Sequence, residues 1–151
     1  MPLIIAPESA GSGEAVALLQ GRDAEISALY TPEQSFRIPI EKHVRGDVVF
    51  LMARENGIPI GCGALQLHFG YGELKSMYVT PAARGKRLAQ ALVAALENLA
   101  REHGFSELKL ETGIYSPAAI RTYERAGYAR CERFGDYPFA PTSVYMAKTL
   151  S

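Results

Sequence analysis

A short basic segment, Arg84-Gly85-Lys86-Arg87, has the residue types best suited to binding an anion. It follows a run of strand formers at 73–79, which ends at Thr80-Pro81 because proline cannot donate to a sheet ladder. Apolar residues then recur at helical spacing over 88–99, so we expect a helix that begins at Gly85. Unpaired N–H groups at a helix start, together with basic side chains, favour a phosphate or pyrophosphate ligand.

The spacing around Arg84 excludes two common phosphate loops. No Gly-Lys-Ser/Thr ending marks a P-loop, and no G-x-G-x-x-G marks a dinucleotide-binding turn. The segment by itself is also compatible with a basic helix start that is merely solvated, since short motifs have many false positives. Other parts of the chain must therefore decide between these interpretations.

Composition narrows the class of protein. The chain has 151 residues, 16 basic and 16 acidic side chains, and 48% hydrophobic residues, which predicts one domain over 1–151. Balanced charge argues against a general nucleic-acid binder. Two distant cysteines indicate neither a metal site nor a disulfide framework. With no signal peptide pattern and no membrane-length apolar run, we expect a cytoplasmic protein that does not enter a membrane.

Hydrophobic patterning predicts the elements that position the basic segment. A buried first strand at 3–5 precedes a helix within 11–30 and a loop with a short helix beginning at Pro39. Asn56-Gly57 predicts a hairpin. The remaining predicted elements are two strands at 47–54 and within 58–68, the strand at 73–79, the long helix, a strand at 107–112, a helix at 117–126, and strands at 128–134 and 143–148.

The basic segment resembles a loop of a known family. The run from Val79 to Ala89 is similar to the acetyl-CoA pyrophosphate loop, Gln/Arg-x-x-Gly-x-Gly/Ala, of the GNAT N-acetyltransferase superfamily. Arg84 and Ala89 match the ends of that pattern, whereas Arg87 stands at its middle glycine. We expect Arg87 to lie in the first helical turn with negative φ, where arginine is tolerated.

A second motif supports this resemblance. The segment from Ser116 through Ala119-Ile120 and Tyr123 to Gly127-Tyr128 resembles the family's Asn-x-x-Ala-Ile-x-x-Tyr-x-x-x-Gly-Phe. The predicted order of elements, βα(α)βββαβαββ, is also that of the family. The resemblance implies an α/β GNAT fold: a mixed, mostly antiparallel sheet of about seven strands, with a central parallel βαβ crossover and flanking helices.

The resemblance implies an enzyme that moves acetyl from acetyl-CoA to an amine, without a metal. In the family, the strand that matches 73–79 carries a bulge and splays from its neighbour, so that its backbone pairs with the pantetheine arm of the co-substrate. The cofactor-binding residues implied here are Met77, Tyr78, Val79, Arg84, Gly85, Lys86, Arg87, Leu88, Ala89 and Ser116. Ser116 replaces the family's asparagine, so its contact with CoA is in question.

The resemblance also implies two catalytic residues. Glu73 stands where similar members place a glutamate that acts through water as general base, and Tyr123 is expected to donate a proton to the departing thiolate. Glu111 is a weaker alternative base, and His43 and His68 are further alternatives. A solvated Glu73 and a core Tyr123 would be the structural interpretations. We expect Cys62 and Cys131 to be small core residues rather than acyl carriers.

Two other functions remain open. A non-catalytic acyl-CoA-binding module would keep the 84–89 loop but not need Glu73 or Tyr123, and a nucleotide binder would prefer ATP. The acceptor is not determined: a small molecule or a peptide could supply the amine. We expect residues 31–43 and 134–143 to line its pocket, with Glu33, Arg37, Asp136 and Tyr137 as candidates. A homodimer is also open, because many members of the family dimerise.

Overall fold

The structure, a computed structural model, describes residues 2–151. The strands are β1 (Leu3–Pro7), β2 (Val48–Glu55), β3 (Ile58–Leu67), β4 (Gly72–Val79), β5 (Glu107–Gly113), β6 (Ala129–Arg130) and β7 (Ser143–Thr149). The helices are α1 (Gly13–Leu29), α2 (Leu88–Glu102) and α3 (Pro117–Arg125). Short 3-10 turns occur at Pro32–Gln34, Ile40–Val44 and Pro81–Ala83.

One sheet joins the seven strands, in the order β1-β2-β3-β4-β5-β7-β6. Only β4 and β5 pair in parallel; every other neighbouring pair is antiparallel. The β2–β3 hairpin turns at Asn56 and Gly57, whose φ angles of 53° and 81° are the positive values that a tight two-residue turn requires. The expected mixed sheet with a central parallel crossover is confirmed.

The long helix α2 packs its apolar face on the sheet. Leu92, Leu96 and Ala100 are fully buried, as the helical spacing predicted. Burial of each leucine stabilises the fold by about 1.5–3 kcal/mol. Glu97 also faces inward, where Tyr128 donates a hydrogen bond to it at 2.9 Å and Lys148 pairs with it at 3.0 Å. The adjacent α3 packs beside α2 and against β5.

Several expected boundaries were wrong. β1 is an edge strand rather than a buried one, since Leu3 and Ile4 are 43% and 60% exposed. The strand expected at 128–134 ends at Arg130, and the chain then leaves the sheet. The long helix begins at Leu88 rather than at Gly85, because Gly85 and Arg87 have positive φ angles that interrupt a helix. Local patterns do not report which strand lies at an edge or where pairing stops.

The two central strands separate partway along their length. β4 pairs with β5 only from Gly72 to Leu74, opposite 108–110, although β5 continues to Gly113. On its other side β4 has a bulge relative to β3, and Ser76 within it has a φ of 59°. A bulge bends a strand and interrupts its ladder. The result is a wedge between β4 and β5 that begins at Lys75.

Candidate active site

A buried polar cluster holds the bulge in β4. The Ser76 hydroxyl lies 2.6 Å from Nη1 of Arg22, on α1, and 2.6 Å from Nε2 of His43. Nδ1 of His43 faces the carbonyl oxygens of Pro39 and Ile40, at 3.0 and 3.1 Å, so it carries the ring proton and Nε2 accepts from Ser76. Burial and the neighbouring Arg22 lower the pKa of His43. The imidazole is therefore a neutral structural group, and the residue is only 2% exposed.

The loop between β4 and α2 directs backbone N–H groups to one side. Gly85 and Arg87 have φ angles of 82° and 60°, and Lys86 between them does not have a positive φ. Alternation of right-handed and left-handed residues forms a concave nest of N–H groups that suits anions. The first N–H groups of α2 add to it, since they have no intrahelical acceptor. The expectation of negative φ at Arg87 was wrong, and its left-handed conformation explains why the family pattern has glycine there.

The Arg84 side chain lies across the mouth of this loop. Its Nε donates to the Val79 carbonyl at 3.1 Å, and its Nη2 pairs with Glu25 of α1. Its guanidinium also lies over the Tyr78 ring, 5.9 Å from the centroid. Tyr78 in turn fits against Gly21, where an added Cβ would lie 2.7 Å from the tyrosine hydroxyl. A phosphate at the loop would compete with Glu25 for Arg84.

Two adjoining clefts open on the wedge. The loop cleft, of about 570 Å³, lies between the β4–α2 loop and α3. The α1 cleft, of about 580 Å³, lies between α1 with its following residues and the carboxyl end of β5. The clefts share six residues: Glu25, Met77, Arg84, Ala118, Ala119 and Tyr123. A molecule in one cleft can therefore meet a molecule in the other at Met77 and Tyr123.

Tyr123 lies at this junction. Its ring packs on Tyr128, with centroids 6.0 Å apart, and is 8% exposed. Within residues 2–151 its hydroxyl has no hydrogen-bond partner, unlike that of Tyr128, which donates to Glu97. Burial, followed by the negative charge of Glu111, raises the pKa of Tyr123, so the phenol remains protonated. It is a neutral donor available to the junction.

Glu111 lines the α1 cleft and is half-buried. Its carboxylate accepts a 2.8 Å hydrogen bond from Ser143, and within residues 2–151 no Lys, Arg or His lies within ion-pair distance of it. Burial raises the pKa of Glu111 to about 7, against the smaller opposing effects of Ser143 and Lys75. A carboxyl with that pKa can both accept and return a proton near neutral pH.

Glu73 has different surroundings. It is 3% exposed, accepts from Nε2 of His68 at 2.8 Å and from the hydroxyl of Tyr137, and lies 3.5 Å from Nζ of Lys75. It lines neither cleft, and Lys75 and its hydrogen-bond partners enclose the carboxylate. His68, 29% exposed and stacked on Tyr71, joins Glu73 to the surface. The carboxylate is neither solvated nor open to the junction.

The cysteines separate into two environments. Cys62 is a core residue, as expected, and burial raises its pKa to about 12, so its thiol stays protonated. Cys131 is exposed, which corrects the expectation that it lies in the core. It lies just past the end of β6, where the chain leaves the sheet. Neither thiol lines a cleft.

The loop cleft brings together most of the residues that the resemblance selected. They are Met77, Tyr78, Val79, Arg84, Gly85, Arg87, Leu88, Ala89 and Tyr123. Lys86 is exposed and lines neither cleft, and Ser116 lines only the α1 cleft, where its hydroxyl lies 2.9 Å from that of Tyr30. Residues 134–143, expected at an acceptor pocket, contribute nothing to the lining of either cleft.

Sequence reasoning missed the contribution of α1. Arg22, Glu25 and Tyr30 reach the clefts from this helix and its C-terminal cap, and Tyr115 reaches them from the turn after β5. None belongs to a motif. The only available signal was Arg22 itself, a charged residue among the apolar positions of a helix, which indicates a buried polar partner.

No helix within residues 2–151 is both long and apolar enough to cross a membrane. In the same residues, no three His, Cys, Asp or Glu side chains are grouped as metal ligands would be.

Comparisons with known proteins agree with this geometry. A family model described as Acetyltransferase (GNAT) family matches residues 12–128. An IAA acetyltransferase of Azospirillum brasilense is 37% identical over 148 residues, 97% of each chain. The N-acetyltransferase YsnE of Bacillus subtilis, described as uncharacterized, is 32% identical over 91% of this chain and 93% of its own.

Solved structures share the fold. A Klebsiella pneumoniae protein assigned to the acyl-CoA N-acyltransferases superposes with a TM-score of 0.84 at 36% identity, covering 99% of this chain and 98% of its own. The PaiA N-acetyltransferase of Thermoplasma acidophilum, solved in complex with coenzyme A, has a TM-score of 0.75 at 18% identity over 99% of both chains. The chain therefore belongs to the GNAT family and is an N-acetyltransferase.

Proposed function

We propose that this N-acetyltransferase transfers acetyl from acetyl-CoA to the amine of a small molecule, by direct attack while both substrates are bound. One observation carries the proposal: Tyr123, a buried phenol whose hydroxyl has no hydrogen-bond partner within residues 2–151, lies where the two clefts meet, and the carboxyl of Glu111 lines the α1 cleft that opens on this junction. The modest volume of the α1 cleft favours a small acceptor over a peptide.

The loop cleft fits acetyl-CoA. GNAT acetyltransferases use this co-substrate, whose thioester supplies the acetyl group. The N–H nest at Gly85 and Arg87, the start of α2 and the Arg84 guanidinium suit a pyrophosphate. The wedge beyond Leu74 leaves one side of β4 unpaired by β5, so backbone groups of Met77 to Val79 can pair with an amide-rich arm.

Glu111 is suited to the role of general base. An ammonium group is not nucleophilic, so a proton must leave before nitrogen can attack the thioester carbonyl carbon. A carboxyl with a pKa of about 7, which forms no ion pair within residues 2–151, attracts the ammonium and accepts that proton. As the new C–N bond forms and the C–S bond breaks, the hydroxyl of Tyr123 can donate a proton or a hydrogen bond to the sulfur.

Glu73 remains the alternative base. Its enclosure by His68, Tyr137 and Lys75 supports a role in holding Lys75 at the cleft wall, and a base at this position would need water to reach the acceptor. Direct transfer is supported by Cys62, the buried thiol near the bulge, because a pKa of about 12 keeps it from acting as a nucleophilic acyl carrier.

Release of free thiol from acetyl-CoA in the presence of an amine panel tests the proposal, with mass spectrometry of the acceptor to identify the acetylated product. The name of the A. brasilense relative makes IAA a further compound to include. Acceptor-dependent thiol release that is lost in a Glu111→Gln, Tyr123→Phe double variant is the expected result. Binding of acetyl-CoA without thiol release for any acceptor would instead indicate the non-catalytic acyl-CoA-binding module.

A further inference from the structure

The charges that line the α1 cleft are not balanced. Four cations and two carboxylates face it: Arg22, Arg37, Lys75 and Arg84, with Glu25 and Glu111. Arg84 is paired with Glu25, and Lys75 lies 3.5 Å from Glu73 just outside the lining. These two pairs cancel. The charged residues of the lining that remain are Arg22, Arg37 and Glu111.

The surplus positive charge lies at Arg37. Arg22 and Arg37 share a single carboxylate, Asp23, at 2.6 and 3.3 Å. The Arg22 side chain is 3% exposed and its donors are used by Asp23, Ser76 and the Ile38 carbonyl. Arg22 therefore has a structural role. Because it lies closer to Asp23 than Arg37 does, Asp23 neutralises mainly the charge of Arg22.

Arg37 is free to bind a ligand. Its side chain is 30% exposed at the cleft, and apart from Asp23 its partners among residues 2–151 are two neutral hydroxyls, Ser35 at 3.1 Å and Ser27 at 3.3 Å. A guanidinium has five N–H donors in a planar fork, so this one can still offer a pair of donors to an anion. Charge-assisted bonds of that kind are stronger than those to hydroxyls.

The cleft that Arg37 and Glu111 line is also walled by apolar and aromatic side chains. Tyr30 and Tyr115 lie with ring centroids 5.5 Å apart, and Phe36 and Ile26 line the same cleft. Tyr115 is 50% exposed, so it stands at the rim. The cleft thus offers a cation, an apolar body and an unpaired carboxyl.

We propose that the acceptor is an amino acid or a close analogue, with its anionic group at Arg37, an apolar or aromatic body against the tyrosines, and its amine at Glu111. The proposal rests on the proposed acetyl transfer, since Glu111 receives the amine as the group to be acetylated. A carboxylate and a phosphonate share the chemistry that Arg37 recognises, and the test separates them.

The test compares acceptors that differ only in the anion. Phenylalanine, phenylalanine amide, 2-phenylethylamine and the phosphonate analogue of phenylalanine are assayed by thiol release, beside leucine and 3-methylbutylamine. Amino acids with a greater separation of amine and carboxylate extend the panel. Each anionic acceptor is compared with the amine or amide that lacks its anionic group. We expect kcat/KM to be at least about 10-fold higher for the anionic acceptor, because a charged hydrogen bond contributes binding energy of that size.

The Arg37→Gln variant identifies the binding group. It should raise the KM for the anionic acceptor by about 10-fold and leave that for 2-phenylethylamine unchanged. Arg37→Lys should restore part of the loss. Arg45→Gln, which removes the same charge at an exposed position outside both clefts, should change neither KM.

A binding measurement provides a readout apart from turnover. Calorimetry of the protein saturated with CoA should detect the preferred amino acid, and Arg37→Gln should weaken that binding while CoA affinity stays the same. Equal kcat/KM for charged and neutral partners, or an Arg37→Gln variant that affects both alike, would overturn the acceptor assignment while acetyl transfer stands. If CoA binds but none of the acceptors causes thiol release, the proposed function is overturned instead.

Discussion

Glu111 and Glu73 lie on neighbouring strands, yet only Glu111 lines a cleft. If Glu111 is the base, Glu111→Gln should lower turnover by about 10² or more and remove the inflection near pH 7 from the pH-rate profile. Glu73→Gln should keep that inflection. Any activity that this variant loses should come from the displacement of Lys75, which pairs with Glu73. Steady-state kinetics from pH 5 to 9 compare the two. An inflection that disappears with Glu73 instead would make Glu73 the base.

The raised pKa of Glu111 also predicts how stability depends on pH. The pKa of Glu111 is about 7 in the folded protein and near 4.5 in the unfolded chain, so the folded state holds this proton more tightly. The stability that the bound proton contributes is fully present below pH 4.5 and is lost as the pH rises through 7. Glu111→Gln stays neutral, so its stability relative to the natural chain should increase by about 2–3 kcal/mol from pH 5 to pH 8. Urea unfolding at several pH values measures this. Glu107→Gln, which changes a more exposed carboxyl on the same strand, is the matched control.

Tyr123 and Tyr128 form a matched pair of tyrosines in contact. Tyr123→Phe removes a hydroxyl that has no partner within residues 2–151, so turnover should fall by about 10-fold or more while melting temperature and CoA affinity change little. Tyr128→Phe removes a donor to Glu97 and should cost about 1 kcal/mol of stability while turnover is kept. Full turnover in Tyr123→Phe would make Tyr123 a structural residue.

At the scale of elements, the loop between β4 and α2 combines backbone and side-chain contacts with phosphate. Arg84→Ala should weaken CoA binding by about 1–3 kcal/mol, and Glu25→Gln should preserve or slightly tighten it, because Glu25 competes for the same guanidinium. Lys86→Ala removes an equal charge from a side chain outside both clefts and should have a smaller effect. Calorimetry with CoA and with pantetheine lacking the phosphates checks this. Equal affinities for the two ligands would exclude the pyrophosphate site.

The same loop depends on an arginine in a left-handed conformation. A φ of 60° is strained for a residue with a side chain, and Arg87→Gly removes that strain. The variant should therefore gain about 1 kcal/mol of stability, reduced by the greater conformational entropy of glycine in the unfolded chain. If only the backbone N–H of residue 87 contacts the ligand, CoA affinity should persist. A large loss of affinity would instead assign a phosphate contact to the Arg87 side chain. Thermal unfolding with and without CoA gives both quantities.

At the scale of the whole molecule, local patterns were sufficient for the order of elements. The leucine spacing of α2, the Asn56-Gly57 turn and Pro117 at the start of α3 act through contacts within a few residues, so they can be recognised in any context. The β4–α2 loop and Tyr123 were identified because a family motif records their positions. The exposed β1 and the short β6 were not predicted, because strand burial and strand length depend on neighbours that are distant in the chain.

The sequence by itself thus determined the family, the α/β element order and the loop cleft, since each depends on short segments with their own local conformational preferences. Only the tertiary structure decided how the carboxyl groups differ. Glu73 and Glu111 have the same chemistry, and folding gives Glu73 the partners His68, Tyr137 and Lys75, while within residues 2–151 it brings no Lys, Arg or His within ion-pair distance of Glu111. Folding likewise brought Arg22 and Arg37 to one shared Asp23. Electrostatic environment is a property of groups assembled from distant segments, and no local pattern encodes it.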